Sequence, residues 1–138
     1  MTVDPAIGEA GDVDTAVTVL RFASGAIGVI DNCRRASYGY DQRVEILGSK
    51  GAAQAENNYP NYTIISDGQS VHRDLPLNFF MDRYVEAFAA EMAAFIAAVR
   101  DDTPTPVTGF DGRQAVLIGL AAGQSHREHR PVRVSEIG

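Results

Sequence analysis

The hydrophobic pattern of the chain changes from a strand-like to a helix-like period near residue 80. Before it, short segments rich in β-branched residues alternate with Gly, Asn and Asp turns. After it, apolar residues recur at spacings of three and four. The pattern predicts strands at 15–22, 26–33, 43–47, 52–56, 62–65 and 70–73. It predicts helices at 81–100 and 112–126, with a short extended segment at 130–134.

This order of elements favours an α+β fold. Strands joined by short connections pair as hairpins, so we expect a mostly antiparallel sheet of about six strands. Two C-terminal helices are expected to pack on one face of that sheet. The 138 residues are predicted to form a single domain, with 1–13 as an irregular lead-in. The apolar stripe of the first helix is expected in the core; it comprises Tyr84, Phe88, Met92, Phe95 and Val99.

Composition restricts the partners of this domain. The formal charge is −6, and nucleic acid binding usually needs a basic face, so no nucleic acid partner is expected. No apolar run approaches the roughly 20 residues of a membrane span, and the N-terminus does not resemble a signal peptide. The lone cysteine, Cys33, cannot form an internal disulfide, which favours the cytoplasm. Both faces of the first strand are largely apolar, which predicts a homo-oligomer, a dimer or tetramer, formed through the open sheet face.

No catalytic or metal-binding signature appears in the sequence. There is no glycine-rich nucleotide fingerprint, no catalytic triad and no metal-ligand cluster. His72, His126 and His129 lie in polar contexts, where a surface role is favoured over metal ligation. Cys33 has no neighbouring histidine and is expected to be a small buried residue. We therefore predict no catalytic residue and no metal site in this chain.

Five segments together resemble a known family. They are DVDTA (12–16), YGYDQRVE (38–45), LGSKG (47–51), NFFMDRY (78–84) and TGFDGR (108–113). Their order and spacing resemble inositol 2-dehydrogenase-like members of the Gfo/Idh/MocA oxidoreductases, over about residues 3–137. That family combines an N-terminal Rossmann domain with a C-terminal α/β domain. This chain looks like the second domain alone.

The resemblance also implies that the cofactor site and the catalytic residues belong to the other domain of the enzyme. Such enzymes oxidise a polyol hydroxyl and pass the hydride to NAD. Their glycine-rich loop, catalytic lysine, aspartate and histidine precede the stretch matched here. We therefore expect NAD in the complete enzyme, no cofactor on this chain alone, and a missing Rossmann domain supplied in cis or in trans.

Four residues are candidates for the wall of a polyol pocket. Tyr38 and Tyr40 are separated by one glycine, so in an extended segment both point to the same side. The resemblance implies that Tyr40 lies near the active site and that Arg83 and Tyr84 lie near the substrate cleft. The alternatives are packed tyrosines with hydroxyls at the rim, a core position for Tyr84 and an interdomain contact for Arg83.

The arginines of the same region are expected to act mainly in ion pairs. An ion pair between Asp41 and Arg43 is expected to support the loop that carries the tyrosines. Arg34 and Arg35 either contact cofactor phosphates or form salt bridges, and the second interpretation is favoured.

Three functional hypotheses follow. The chain is the substrate and oligomerisation domain of an NAD-dependent inositol dehydrogenase, inactive by itself. Alternatively, it is a freestanding, non-catalytic oligomerisation module. The third hypothesis keeps the dehydrogenase class but assigns a different sugar or polyol as the substrate.

Overall fold

A computed structural model describes residues 2–138, which form two compact units. The first unit ends at Phe88 and the second runs from Ala89 to Gly138. The first contains α1 (Pro5–Glu9), β1 (Thr15–Arg21), β2 (Ile27–Cys33), β3 (Val44–Gly48), β4 (Gly51–Ala55), β5 (Ile64–Ser66) and β6 (Val71–Arg73). Helix α2 (Phe80–Arg100) begins in the first unit and ends in the second. The second unit also holds α3 (Gly109–Glu128) and a 3₁₀ helix, Val134–Glu136.

The six strands pair as three antiparallel hairpins: β1 with β2, β3 with β4, and β5 with β6. The predicted strands and their antiparallel pairing are confirmed. The expectation of one continuous sheet needs correction, because the described strands form three two-stranded sheets. The reason is local: only the strands joined by tight turns pair, whereas longer irregular segments separate one hairpin from the next.

The N-terminal segment is ordered by a buried carboxylate. Residues 1–13 were expected to be irregular, yet Asp4 caps the short helix α1 by accepting from the amide of Ala6 at 3.0 Å. The Asp14 side chain is 4% exposed and accepts from the amides of Val3 at 2.7 Å and Asp4 at 2.6 Å. These bonds tie the start of α1 to the residue that precedes β1.

Four of the five residues in the apolar stripe of α2 are exposed, contrary to expectation, and the fifth, Tyr84, is half-buried. Helix α2 confirms the predicted 81–100 element, but Phe88 is 44% exposed and Val99 is 65% exposed. The helical period selects an apolar face correctly, but it does not show whether this chain itself covers that face. The buried apolar residues are instead Ala98, Leu117 and Ala121. No helix within residues 2–138 is long and apolar enough to cross a membrane.

Helix α3 begins three residues before its predicted start. Thr108 is the N-cap, and Asp111 accepts from both the amide and the hydroxyl of Thr108 at 2.8 Å. Asp111 therefore closes a capping box from the third helical position and is not itself the cap. The predicted extended segment at 130–134 is replaced by loop residues and the 3₁₀ helix Val134–Glu136.

Candidate active-site wall

The segment between β2 and β3 forms a turn that is pinned to the loop before α2. Gly39, in this turn, is buried and has a φ of +131°. Next to it, the amide of Tyr40 donates to the carbonyl of Leu77 at 2.8 Å, and the amide of Leu77 donates to the carbonyl of Asn58 at 3.0 Å. These two backbone bonds bring residues 40, 58 and 77 together.

Tyr40 and Tyr84 form an aromatic pair. Their ring centroids are 5.8 Å apart, and the rings meet edge to face at 79°. The hydroxyl of Tyr84 donates to the side-chain carbonyl of Gln42. The neighbouring phenol of Tyr40, followed by partial burial, raises the pKa of Tyr84 above the usual value for a phenol. The raised pKa keeps the Tyr84 hydroxyl neutral at ordinary pH.

Tyr38 lies apart from this pair. It was expected on the same side as Tyr40, but the chain turns at Gly39, and the Tyr38 hydroxyl donates to the carboxylate of Asp41. That bond is the main cause of a raised Tyr38 pKa. The alternation of an extended strand fails here because the segment is a turn.

Asp41 is the acceptor that holds this turn together. Arg43 donates to it from Nε and from a terminal nitrogen, each at 2.7 Å, which confirms the predicted ion pair. The Asp41 side chain is 14% exposed, whereas that of Arg43 is 60% exposed. The hydrogen bond from Arg43, followed by that from Tyr38, holds the pKa of Asp41 well below its usual range.

Asn57 completes the same cluster from the loop after β4. Its side-chain nitrogen donates to Asp41 Oδ1 at 2.8 Å, and its oxygen accepts from the amide of Gln42 at 2.8 Å. The residue is only 8% exposed. Asp41 thus accepts hydrogen bonds from three side chains, which belong to Tyr38, Arg43 and Asn57.

A polar cleft of about 350 Å³ opens beside this cluster. Its lining includes Tyr38, Asp41 and Asn57 of the cluster, together with Tyr59 and Arg73. The guanidinium of Arg73 stacks over the Tyr59 ring at 4.5 Å from its centroid and donates to its hydroxyl at 2.9 Å. Aromatic faces next to fixed donors and acceptors suit a polyhydroxylated molecule. Tyr40 and Tyr84 are not among the residues that line this cleft.

Arg83 is adjacent to the tyrosine pair in the sequence and in space. The central carbon of its guanidinium lies 5.8 Å from the centroid of the Tyr84 ring. Its Nε is buried and has no hydrogen-bond partner among the described residues. The structure therefore brings Tyr40, Tyr84 and Arg83 together and leaves Tyr38 with Asp41.

The other polar candidates have local partners. Arg34 pairs with Asp12 at 2.6 Å, and Arg35 pairs with Asp4, which confirms the salt-bridge interpretation. Cys33 is exposed at the end of β2, where it was expected to be buried. The three histidines are exposed, as predicted; they are His72, His126 and His129. Within residues 2–138, no group of three or more His, Cys, Asp or Glu side chains is arranged to hold a metal ion.

Sequence reasoning missed the residues that support the tyrosines from a distance. Asn57 lies between the strands predicted at 52–56 and 62–65, and no sequence pattern points to a role for Asn57, Gln42 or Leu77. An isolated Asn in a loop normally suggests a turn, and nothing in its neighbours reveals a partner 16 residues away. The Asn-Asn dipeptide at 57–58 was the one available signal.

Comparison with known proteins decides the family. A family described as an oxidoreductase family, C-terminal alpha/beta domain (Gfo/Idh/MocA), matches residues 2–134. The chain belongs to the Gfo/Idh/MocA oxidoreductases. Its fold class, predicted from the order of elements and the resemblance, is confirmed as the C-terminal domain of that family.

Relatives within the Gfo/Idh/MocA family are named as inositol dehydrogenases. A myo-inositol 2-dehydrogenase from Thermotoga maritima is 49% identical over 98% of the chain and 40% of its own length. An inositol 2-dehydrogenase from Rhizobium meliloti is 44% identical over 96% of the chain and 40% of its own length. A scyllo-inositol 2-dehydrogenase (NAD(+)) from Bacillus subtilis is 33% identical over 95% of the chain and 38% of its own length.

A solved structure agrees with these relatives. The crystal structure of a probable dehydrogenase from Thermotoga maritima superposes with a TM-score of 0.95 at 48% identity, covering 100% of this chain and 41% of that one. The chain therefore spans about 40% of the length of the Gfo/Idh/MocA relatives it matches.

The described residues do not fit the pyrophosphate of a dinucleotide. Such a group is held where a glycine-rich turn joins a parallel strand to the N-terminus of a helix. Within residues 2–138 every strand pairs antiparallel, and loops separate the strands from the helices that follow.

Proposed function

We propose that this chain is the substrate-side domain of an NAD-dependent inositol 2-dehydrogenase. The observation that carries the proposal is its 49% identity, over 98% of the chain, to a myo-inositol 2-dehydrogenase. NAD is the proposed cofactor of the complete enzyme, supported by the name of the Bacillus subtilis relative. A Rossmann domain, in cis or in trans, holds that cofactor and supplies the base.

In this proposal the chain contributes one wall of the polyol pocket. Tyr40 can donate to or accept from a ring hydroxyl, whereas Tyr84, whose proton is donated to Gln42, accepts from one. Their edge-to-face packing keeps the two phenols adjacent. Arg83 offers a cation beside them, and its unpartnered Nε supports a role at a contact completed by another molecule or domain. Tyr38 contributes from the neighbouring cleft, next to Asp41.

A chimera tests the proposal. The nucleotide-binding part of the Thermotoga maritima relative is joined to this chain, and NADH formation is measured with myo-inositol, scyllo-inositol and glucose. The chain alone is expected to give no turnover, and the chimera is expected to oxidise an inositol. Turnover with glucose but with neither inositol would favour the different-substrate hypothesis. A folded chimera that binds NAD and oxidises none of the three would contradict the proposed function.

The second candidate function is an assembly module, favoured by an apolar face on the first hairpin. Val19 of β1 pairs with Val29 of β2, and these side chains are 67% and 64% exposed. Val17 and Ile27 extend the same face and are 64% and 71% exposed. A homo-oligomer, a dimer or tetramer, would cover this surface.

Light scattering, which measures the oligomeric state, tests the assembly-module function. We expect the chain to assemble, and Val19→Asp to shift it to monomers because a charge would enter the apolar face. Gln69→Glu, which adds a charge in the exposed β5–β6 turn, should leave assembly unchanged. A monomeric unsubstituted chain at tens of micromolar would remove this role. Assembly without any turnover in a chimera that binds NAD would favour the module over the enzyme.

We also propose a cytoplasmic location. It is supported by the single cysteine, which leaves the chain without an internal disulfide, and by relatives named as NAD-linked inositol dehydrogenases.

A further inference from the structure

Asn57 is a buried polar residue that no functional assignment uses. Its side chain is 8% exposed, and both of its polar atoms are bonded to the turn that carries the tyrosines, at Gln42 and Asp41. These bonds span 15 and 16 residues of sequence, so they fix one loop against another. A buried amide with both ends satisfied is expensive to disturb, because removal of one partner leaves the other desolvated and unpaired.

Two chains of contacts lead from this position to the tyrosine pair. In the first, Asn57 holds the backbone of Gln42, and the Gln42 side chain accepts from the hydroxyl of Tyr84. In the second, the adjacent carbonyl of Asn58 accepts from Leu77, whose own carbonyl accepts from the amide of Tyr40. Residues 57 and 58 are thus connected to both members of the pair.

We infer that Asn57 is a positioning residue that sets where the Tyr40 ring and the Tyr84 hydroxyl lie, and thereby tunes the binding of a polyhydroxylated ring. This role rests on the proposed function only in its last step, the contact between tyrosines and polyol. The positioning itself is a property of the isolated chain. Asn57 also lines the cleft beside Tyr38, but it reaches the tyrosine pair only through other residues, Gln42 and Asp41 first.

The neutral amide suits this position better than a charged group. Asp41 already accepts from Arg43 and Tyr38, and the amide nitrogen of Asn57 supplies a third donor at 2.8 Å. A carboxylate at position 57 would still accept from the amide of Gln42. It would, however, face the carboxylate of Asp41 without a donor between them, and like charges at this distance repel. Asn57→Asp is therefore a nearly isosteric variant that turns the hydrogen bond to Asp41 into a repulsion between two carboxylates.

Asn61 offers a matched control within the same loop region. Its oxygen accepts from the amide of Thr63 at 2.8 Å, and its nitrogen donates to the carboxylate of Asp74. The bonding pattern equals that of Asn57, but Asn61 is exposed and its partners lie outside the tyrosine turn. Asn61→Ala thus removes the same kinds of bonds without touching Gln42 or Asp41.

Fluorine NMR of the chain labelled with 3-fluorotyrosine tests the positioning. The chain has five tyrosines, so five single Tyr→Phe variants assign every signal. In Asn57→Ala and Asn57→Asp, the signals of Tyr40 and Tyr84 are expected to shift, and that of Tyr62, which is 95% exposed, to stay. Asn61→Ala should leave Tyr40 and Tyr84 in place. The inference would be overturned if the Tyr40 and Tyr84 signals did not shift in the Asn57 variants. It would also be overturned if neither Asn57→Ala nor Asn57→Asp folded.

Kinetics of the chimera test the functional step. Asn57→Asp is expected to lower kcat/KM for the polyol by about tenfold to a hundredfold, because small misplacements of binding groups have effects of that size. The KM for the polyol should rise while the KM for NAD stays unchanged. A lower kcat with an unchanged polyol KM would indicate only less folded enzyme and would contradict the positioning role. An unsubstituted chimera that folds and binds NAD but oxidises no polyol would contradict the proposed function and leave the NMR result to decide the positioning.

Discussion

A Cβ atom placed on Gly39 would lie 2.7 Å from the carbonyl oxygen of Pro76. The backbone of Gly39 also has a φ of +131°, a region that residues with a side chain rarely adopt. Both constraints act on the residue between Tyr38 and Tyr40. The close approach of these two backbone segments is what allows the amide of Tyr40 to reach the carbonyl of Leu77.

Gly39→Ala is expected to lower the free energy of unfolding by about 2–5 kcal/mol, the combined effect of backbone strain and overpacking. Gly25→Ala is the matched control, because Gly25 also has a positive φ, +90°, but has no atom within 4 Å of an added Cβ. It should cost only about 1–2 kcal/mol, from the positive φ alone. Urea unfolding followed by circular dichroism measures both variants. Equal losses for the two would show that the contact with Pro76 is unimportant.

Tyr38 is expected to titrate at a higher pH than an exposed tyrosine, because its hydroxyl donates to the Asp41 carboxylate and deprotonation would break that bond. Asp41→Asn removes the charge and should bring the pKa of Tyr38 down toward its ordinary value. Fluorine NMR of the labelled chain follows the signal directly, with the 95% exposed Tyr62 as the internal reference. The titration starts at neutral pH, because ring fluorination lowers the pKa of every labelled phenol. A Tyr38 pKa that does not respond to Asp41→Asn would contradict the assignment.

The Tyr38–Asp41 hydrogen bond makes the free energy of unfolding depend on pH in both the alkaline and the acidic range. A raised Tyr38 pKa stabilises the protonated phenol, so this contribution is complete below about pH 10 and is lost as the pH rises through the folded-state value. A lowered Asp41 pKa stabilises the carboxylate, so its contribution is complete above about pH 4 and is lost as the pH falls. Urea midpoints of Asp41→Asn should therefore change less with pH below pH 4 than those of the unsubstituted chain.

The sequence predicted the elements of this fold well because their signals are local. Strand β2 and helix α2 lie within one residue of their predicted bounds, since β-branched runs and a period of 3.6 residues specify them. The loop between the strands predicted at 26–33 and 43–47 is confirmed, but the turn at Gly39 was missed, because Tyr38 and Tyr40 were treated as parts of one extended segment. Exposure of Phe88 was also missed, because periodicity identifies an apolar face without showing what covers it.

The candidate site was only partly predictable. Tyr40, Tyr84 and Arg83 were named from the family resemblance, and the geometry brings them together. Their role toward a polyol stays a prediction. Asn57 was not predictable, because its importance arises from contacts 15 and 16 residues away that only the folded chain reveals.

Phe88→Ala is expected to lower the free energy of unfolding of this chain by only about 0.5–1.5 kcal/mol. Phe88 is 44% exposed, and its main loss would be the ring contact with Tyr84, 5.8 Å between centroids. Leu117→Ala is the comparison: Leu117 is 7% exposed and its truncation should cost about 2–5 kcal/mol. Urea unfolding at two protein concentrations measures both. A Phe88 loss as large as that of Leu117 would show that this stripe is covered, and a dependence on concentration would identify the cover as another copy.

Tyr40→Phe is expected to leave stability nearly intact while lowering polyol oxidation by the chimera. The ring stays in its edge-to-face contact with Tyr84, and the amide that donates to Leu77 belongs to the backbone, so only the hydroxyl is lost. Loss of one hydrogen bond to a neutral group typically costs about 0.5–1.5 kcal/mol, or about a threefold to tenfold fall in kcat/KM for the polyol. Tyr62→Phe, at a 95% exposed position, is the control and should match the unsubstituted chimera. Steady-state NADH formation measures the activity of these variants, and urea unfolding measures their stability. Equal activity of the Tyr40 and Tyr62 variants would show that Tyr40 does not line the polyol pocket.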